Sequence, residues 1–141
     1  MGVRRKAREY ALQMLFQWDI THDAIDTIIL SFWETLEIPE PAEVIDFANA
    51  LATGAIDQVE KIDTIITRHA ANWRLDRMAV VDRNLLRLAT YEFLREKENG
   101  AEIPAAVIIN EALEIAKRFS AAESPQFING ILDSIRREVE T

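Results

Sequence analysis

This sequence predicts an all-α protein of six or seven helices joined by short connections. Apolar residues recur at three- and four-residue steps along nearly the whole chain, and no segment of useful length alternates like a strand. A composition of 49% hydrophobic and 28% charged residues over 141 positions suits a globular core that needs no staples.

The first helix is expected over about Val3 to Asp19, where Ala7, Tyr10, Ala11, Met14, Leu15 and Trp18 form one stripe. The second repeats the pattern with Ile25, Ile28, Ile29, Phe32, Trp33 and Leu36, and Pro39 and Pro41 forbid its continuation. A long helix then starts near Pro41. Val44, Phe47, Ala48, Leu51, Ala55, Val59, Ile62, Ile66 and Trp73 hold one phase along it, with Gly54 as a place for close packing or a bend. One polar turn, Arg74 to Arg77, precedes a helix from about Ala79 to Lys97. That helix is apolar nearly all round, which predicts a central, buried element. Asn99-Gly100 stops it, because glycine suits a left-handed cap. Pro104 opens the next helix, striped by Ile108, Ala112, Ile115, Ala116 and Phe119. Ser124-Pro125 reads as a cap followed by proline at the first position of the last helix, which carries Ile128, Ile131, Leu132, Ile135 and Val139.

Much chemistry is excluded at this level. With no cysteine there is no disulfide framework, thiolate zinc site, iron–sulfur cluster or cysteine nucleophile. Gly2, Gly54, Gly100 and Gly130 lie too far apart to form a phosphate-cradling loop. No apolar run approaches the ~18–20 residues that span a bilayer. The opening MGVRRKAREY lacks the apolar stretch of a signal peptide, and Lys6 stands where a myristoylation signal needs Ser or Thr. His22 and His69 are far apart, and Glu111 and Glu114 read as solvated helix neighbours. No metal, no cofactor and no catalysis are expected.

Charge is more informative. Arg4, Arg5, Lys6 and Arg8 open the chain with no acid among them, whereas the net charge is -8. From Glu34 to Asp63 eight acids face Lys61 alone. Such a body repels phosphate in general, but a local basic arm still docks it. If the helix begins by Val3, Arg4 and Arg8 share a face and the four cations form a solvated patch. Cations at a helix N-terminus oppose the macrodipole, a cost that an anionic ligand would explain. The plainer reading is a frayed, solvated tail. Arg74, Arg77, Arg83 and Arg87, with Asp76 and Asp82 among them, read either as a second, mixed patch or, the plainer account, as internally salt-bridged. Phe127 lies about 100° round the helix from Ile128. It either flanks the core or presents an aromatic face to an unstacked base. Glu123, just before the last helix, either repels a passing RNA backbone or merely favours the helix end.

Four stretches then carry a resemblance. They are Arg4-Arg5-Lys6-Ala7-Arg8-Glu9 with Gln13 and Trp18; Asp82-Arg83-Asn84-Leu85-Leu86-Arg87-Leu88-Ala89-Thr90-Tyr91-Glu92; Ile103-Pro104 with Ile109-Asn110-Glu111-Ala112 and Ala116-Lys117; and Phe127-Ile128-Asn129-Gly130-Ile131-Leu132-Asp133. In this order and spacing the chain resembles the NusB family of bacterial transcription antitermination factors. The resemblance implies one RNA-binding domain over residues 1–141, built of two packed helical bundles, about 1–73 and 74–141. It implies a cytoplasmic protein without catalysis or cofactor. Such a protein binds single-stranded boxA-type RNA together with NusE, a small ribosomal-subunit protein, and helps RNA polymerase read through terminators, notably in ribosomal RNA operons. It assigns RNA contact to Arg4, Arg5, Lys6 and Arg8, the RNA edge to Phe127, and a partner face around Asp82 and Arg83. A homodimer is compatible with the same chain. Two other readings stay open: a module like the N-terminal domain of ribosomal RNA cytosine methyltransferases, and a protein-only adaptor using the acidic 34–63 segment.

Overall fold

The structure is a computed structural model and describes residues 2–100 and 102–141. Among the described residues it contains seven α-helices, one 3-10 turn and no strand. The helices are α1 (Val3–Thr21), α2 (Ile25–Thr35), α3 (Ala42–Asp57), α4 (Val59–His69), α5 (Val80–Asn99), α6 (Ala105–Phe119) and α7 (Ser124–Glu140), with the 3-10 turn at Leu75–Arg77. None is long and apolar enough to cross a membrane. The chain forms two compact units, Met1–Asp57 and Gln58–Thr141.

In the first unit α1 packs chiefly on α3 and also on α2. The facing surfaces are rich in alanine: Ala7 and Ala11 on α1, Ala48, Ala52 and Ala55 on α3, all buried. Met14, Leu15, Ile28 and Leu51 fill the remaining core. Tyr10, Phe32 and Trp33 meet edge to face, with ring centroids 5.0–5.6 Å apart. The indole N–H of Trp33 donates to Asn49 Oδ1 at 2.8 Å, which satisfies the polar tip of a partly buried ring.

In the second unit α5 is the hub, packing on α4, α6 and α7. Eleven of its twenty residues are buried, as its all-round apolar pattern predicts. Its last turn closes on Gly100, whose φ of 90° is left-handed. Arg87 is buried on α5 and makes two bonds to the Asp63 carboxylate of α4, at 2.8 and 3.1 Å, and one to Asn84 Oδ1 at 3.0 Å. At the far end of α4, Arg68 and His69 both hold Glu138 of α7, at 2.6 and 2.9 Å. The Arg68 bond first, then the His69 bond, pulls the Glu138 carboxyl down to about 2.

Three expectations are corrected. The long helix from Pro41 to Trp73 is two helices, broken at Gln58 (φ -108°, ψ 17°), not at Gly54. The stripe stays in phase across the break because each half buries an apolar face, α3 against α1 and α2, α4 against α5 and α7. The division between units therefore falls after Asp57, one helix earlier than residue 73. Ser124 is the first residue of α7, not its cap. Glu123 holds the cap position, and the Ser124 hydroxyl bonds elsewhere.

Candidate nucleic-acid interface

The first unit carries the basic turn. α1 begins at Val3 as expected, with Gly2 at the cap, no side-chain cap bond and no acid in the first turn. The four cations share a helix but not an environment. Arg4 is exposed. Arg5 is half-buried. Lys6 keeps 42% of its side chain exposed, and its ammonium lies 2.8 Å from Glu40 Oε2. Arg8 is only 4% exposed, which corrects the expectation of four solvated cations. It lies one turn before Leu12 and two before Leu15 on the face that packs inward. The guanidiniums of Arg4 and Arg8 stand 5.9 and 5.7 Å from the Phe47 ring centroid, a cation–π arrangement. Phe47 thus serves as a shelf under the basic turn instead of filling the stripe of α3.

Separate outcomes follow for two neighbouring arginines. Arg8→Ala is expected to cost about 1–2 kcal/mol of folding free energy, the size of a desolvated cation–π contact. Arg4→Ala is expected to stay within about 0.5 kcal/mol of the parent, as for an exposed residue. Urea denaturation of the two variants distinguishes them, and equal midpoints would refute the asymmetry.

The second unit presents an aromatic pair. Phe127 lies in the first turn of α7 and is half-buried. Its ring meets Trp73 edge to face, with centroids 5.2 Å apart and planes at 74°. Trp73 follows α4 in the short connection before the 3-10 turn and is 57% exposed, not part of a core stripe. Two aromatic faces are therefore partly open to solvent and brace each other. Glu123 is exposed one turn before Phe127, and its carbonyl accepts the Phe127 N–H at 3.4 Å. Its carboxylate makes no capping bond.

Asp82 and Arg83 stand differently. Asp82 is 7% exposed and accepts hydrogen bonds from the hydroxyls of Ser120 and Ser124, the latter at 2.9 Å. Its carboxylate is committed to these two internal bonds. Arg83 is half-buried and donates to the Met78 carbonyl at 3.5 Å. Arg74 pairs with Asp76 at 3.0 Å, and Arg87 reaches beyond the predicted cluster to Asp63. Among the described residues no group of His, Cys, Asp or Glu is placed to hold a metal ion.

Sequence reasoning missed Trp73, Phe47 and Glu40. Trp73 was legible in part, since a polar turn follows it and an indole at a helix end need not be core. Glu40 carried no signal, because its partners lie more than one helix away.

Fold and surfaces together define a class: an all-helical protein that offers cations and aromatic faces on open surface. Within that class the chain belongs to the NusB family, whose pattern matches residues 5–137. It is 45% identical over 139 residues to the transcription antitermination protein NusB of Solibacter usitatus, covering 99% of this chain and 92% of that one. A solved structure of T. maritima NusB superimposes with a TM-score of 0.85 at 38% identity, covering 96% of this chain and 91% of that one. A crystal structure of the antitermination factors NusB and NusE in complex with dsRNA gives a TM-score of 0.85 at 25% identity, covering 98% of both chains.

Proposed function

We propose that this chain is a transcription antitermination factor that binds single-stranded boxA-type RNA together with NusE. In the RNA polymerase antitermination complex it promotes read-through, notably in ribosomal RNA operons. It acts in the cytoplasm by binding alone, without catalysis or cofactor. The observation that carries this reading is the match along nearly the full chain to antitermination proteins of similar length. Geometry supports it on each unit separately. The basic turn, Arg4 foremost with Arg5 and Lys6, meets phosphates. Phe127 and Trp73 offer faces for unstacked bases. Arg8 contributes by holding that turn on Phe47. Arg83 and the surface around Asp82 remain the side proposed for NusE.

Anisotropy titration of a labelled boxA-type RNA and a scrambled control, with and without NusE, tests the reading. Preferential binding of the boxA-type RNA, strengthened by NusE, is the expected result. Equal, negligible binding of both RNAs in the presence of NusE would leave the adaptor reading in its place.

Glu123 yields a prediction of opposite sign. Its exposed carboxylate lies within one turn of Phe127, so RNA passing that helix end meets a like charge. Glu123→Gln is expected to tighten RNA binding by about two- to fivefold, and more at low salt, as expected for a screened repulsion at 6–8 Å. Overlaid binding curves at low salt would place the RNA path elsewhere.

A further inference from the structure

We propose that Glu40 is an internal competitor for the RNA backbone: its carboxylate occupies Lys6 in the free protein, and RNA binding trades that contact for a phosphate. The inference rests on the RNA reading of the basic turn and adds to it a residue that sets its strength.

Glu40 differs from an ordinary surface carboxylate in how firmly it is placed. It stands between Pro39 and Pro41 in the connection from α2 to α3. A residue before proline is restricted to extended backbone, so the connection has little freedom there. The Tyr10 hydroxyl donates to the same Oε2 that faces Lys6. Tyr10 is itself held edge to face by Phe32 and Trp33. The Glu40 side chain is 4% exposed, whereas that of Lys6 is 42% exposed. The bonds from Lys6 and then Tyr10 hold the Glu40 carboxyl below the usual carboxylate range, so it stays ionised. Burial, then the bond to Glu40, pushes the Tyr10 hydroxyl up to about 12, so it keeps the proton it donates.

The two sides of the pair are therefore unequal. The anion is fixed by backbone, hydroxyl and packing. The cation is a compact charge on a flexible four-carbon stem, free to swing. A phosphate reaching α1 takes Lys6 only by displacing Glu40, so a single anion gains little. A polyanion that also engages Arg4 gains enough to make the exchange. Glu40 thereby lowers the affinity of the turn for stray anions more than for a ligand that makes several contacts.

The test compares Glu40→Gln with Lys6→Ala, the double variant, Arg4→Ala and Glu102→Gln. The last removes one charge from an exposed site on the other unit. The probe is the labelled boxA-type RNA over a range of salt, and thermal melting checks the fold of each variant. Glu40→Gln is expected to tighten binding by about two- to fivefold, the range of a partly exposed ion pair. It should also steepen the log–log salt dependence, by at most about 0.7, because the parent gives up one protein ion pair for the phosphate contact that Lys6 gains and the variant does not. Glu102→Gln should do neither, and the gain should vanish when Lys6 is Ala. A Glu40→Gln variant that melts earlier yet binds RNA with the parent's affinity and slope would make Glu40 a clamp on the connection and overturn the proposal. So would a gain that survives without Lys6. Failure of the underlying RNA reading is a separate result: Arg4→Ala would then leave the salt slope unchanged as well.

Discussion

Asp82→Ala is expected to lose about 2–4 kcal/mol of folding stability, although a substitution on a partner-facing surface would cost almost nothing. The carboxylate sits in the first turn of α5 and takes the hydroxyl protons of Ser120, which closes α6, and Ser124, which opens α7. Hydrogen bonds to a charged acceptor contribute about 1.5–3 kcal/mol each. The loss falls short of twice that figure because the two hydroxyls are 2.9 Å apart, so one can donate to the other once the carboxylate is gone. Asp82→Asn keeps one acceptor oxygen and should lose about half as much. Urea denaturation measures both variants, with NusE affinity measured alongside. Stability within about 0.5 kcal/mol of the parent, together with weakened NusE binding, would make the Asp82 carboxylate itself a partner contact and not an internal tie.

Phe127→Ala should separate binding from folding in the opposite way. A stacked base contributes about 1–3 kcal/mol, so RNA affinity should fall by roughly 5- to 150-fold. The folding cost should be near 1 kcal/mol, since the ring is half-buried and its aromatic contact with Trp73 accounts for about 0.5–1.5 kcal/mol. A core phenylalanine would cost about 3–5 kcal/mol instead. Trp73→Ala should weaken RNA binding in the same direction with still less effect on folding, because the indole is 57% exposed. RNA titration beside chemical denaturation decides. A Phe127→Ala protein that loses over 3 kcal/mol yet binds RNA like the parent would make the residue core.

What was legible in the sequence is what local physics controls. The start of α1 at Val3, the central place of α5 and the left-handed Gly100 follow from periodicity and one glycine. The break at Gln58 did not, because no proline or glycine marks it and both halves bury the same helical phase. Arg8 was half legible: it precedes Leu12 and Leu15 by four and seven residues, which puts it on the buried face, but its charge argued for solvent. The pairs that settle each cation's fate are contacts across the fold. Tyr10 and Glu40 are 30 residues apart, and Asp82 and Ser124 are 42 apart. The aromatic pair belongs to the same kind, since Trp73 and Phe127 meet only once α4 and α7 have packed.

The knot of Arg87, Asp63 and Asn84 constrains how this sequence can drift. Asp63 counts among the acids of the 34–63 segment, yet its charge is spent on a guanidinium and adds little to the field outside. If Asp63 changes alone, a cation is stranded in a dry place; if Arg87 changes alone, the carboxylate and the amide lose their shared donor. Either step costs more than exchanging all three for apolar residues of the same volume, which can be nearly neutral. The viable histories at these positions are therefore joint ones. Between the ionic solution and an oily one lies a barrier that single substitutions have to cross.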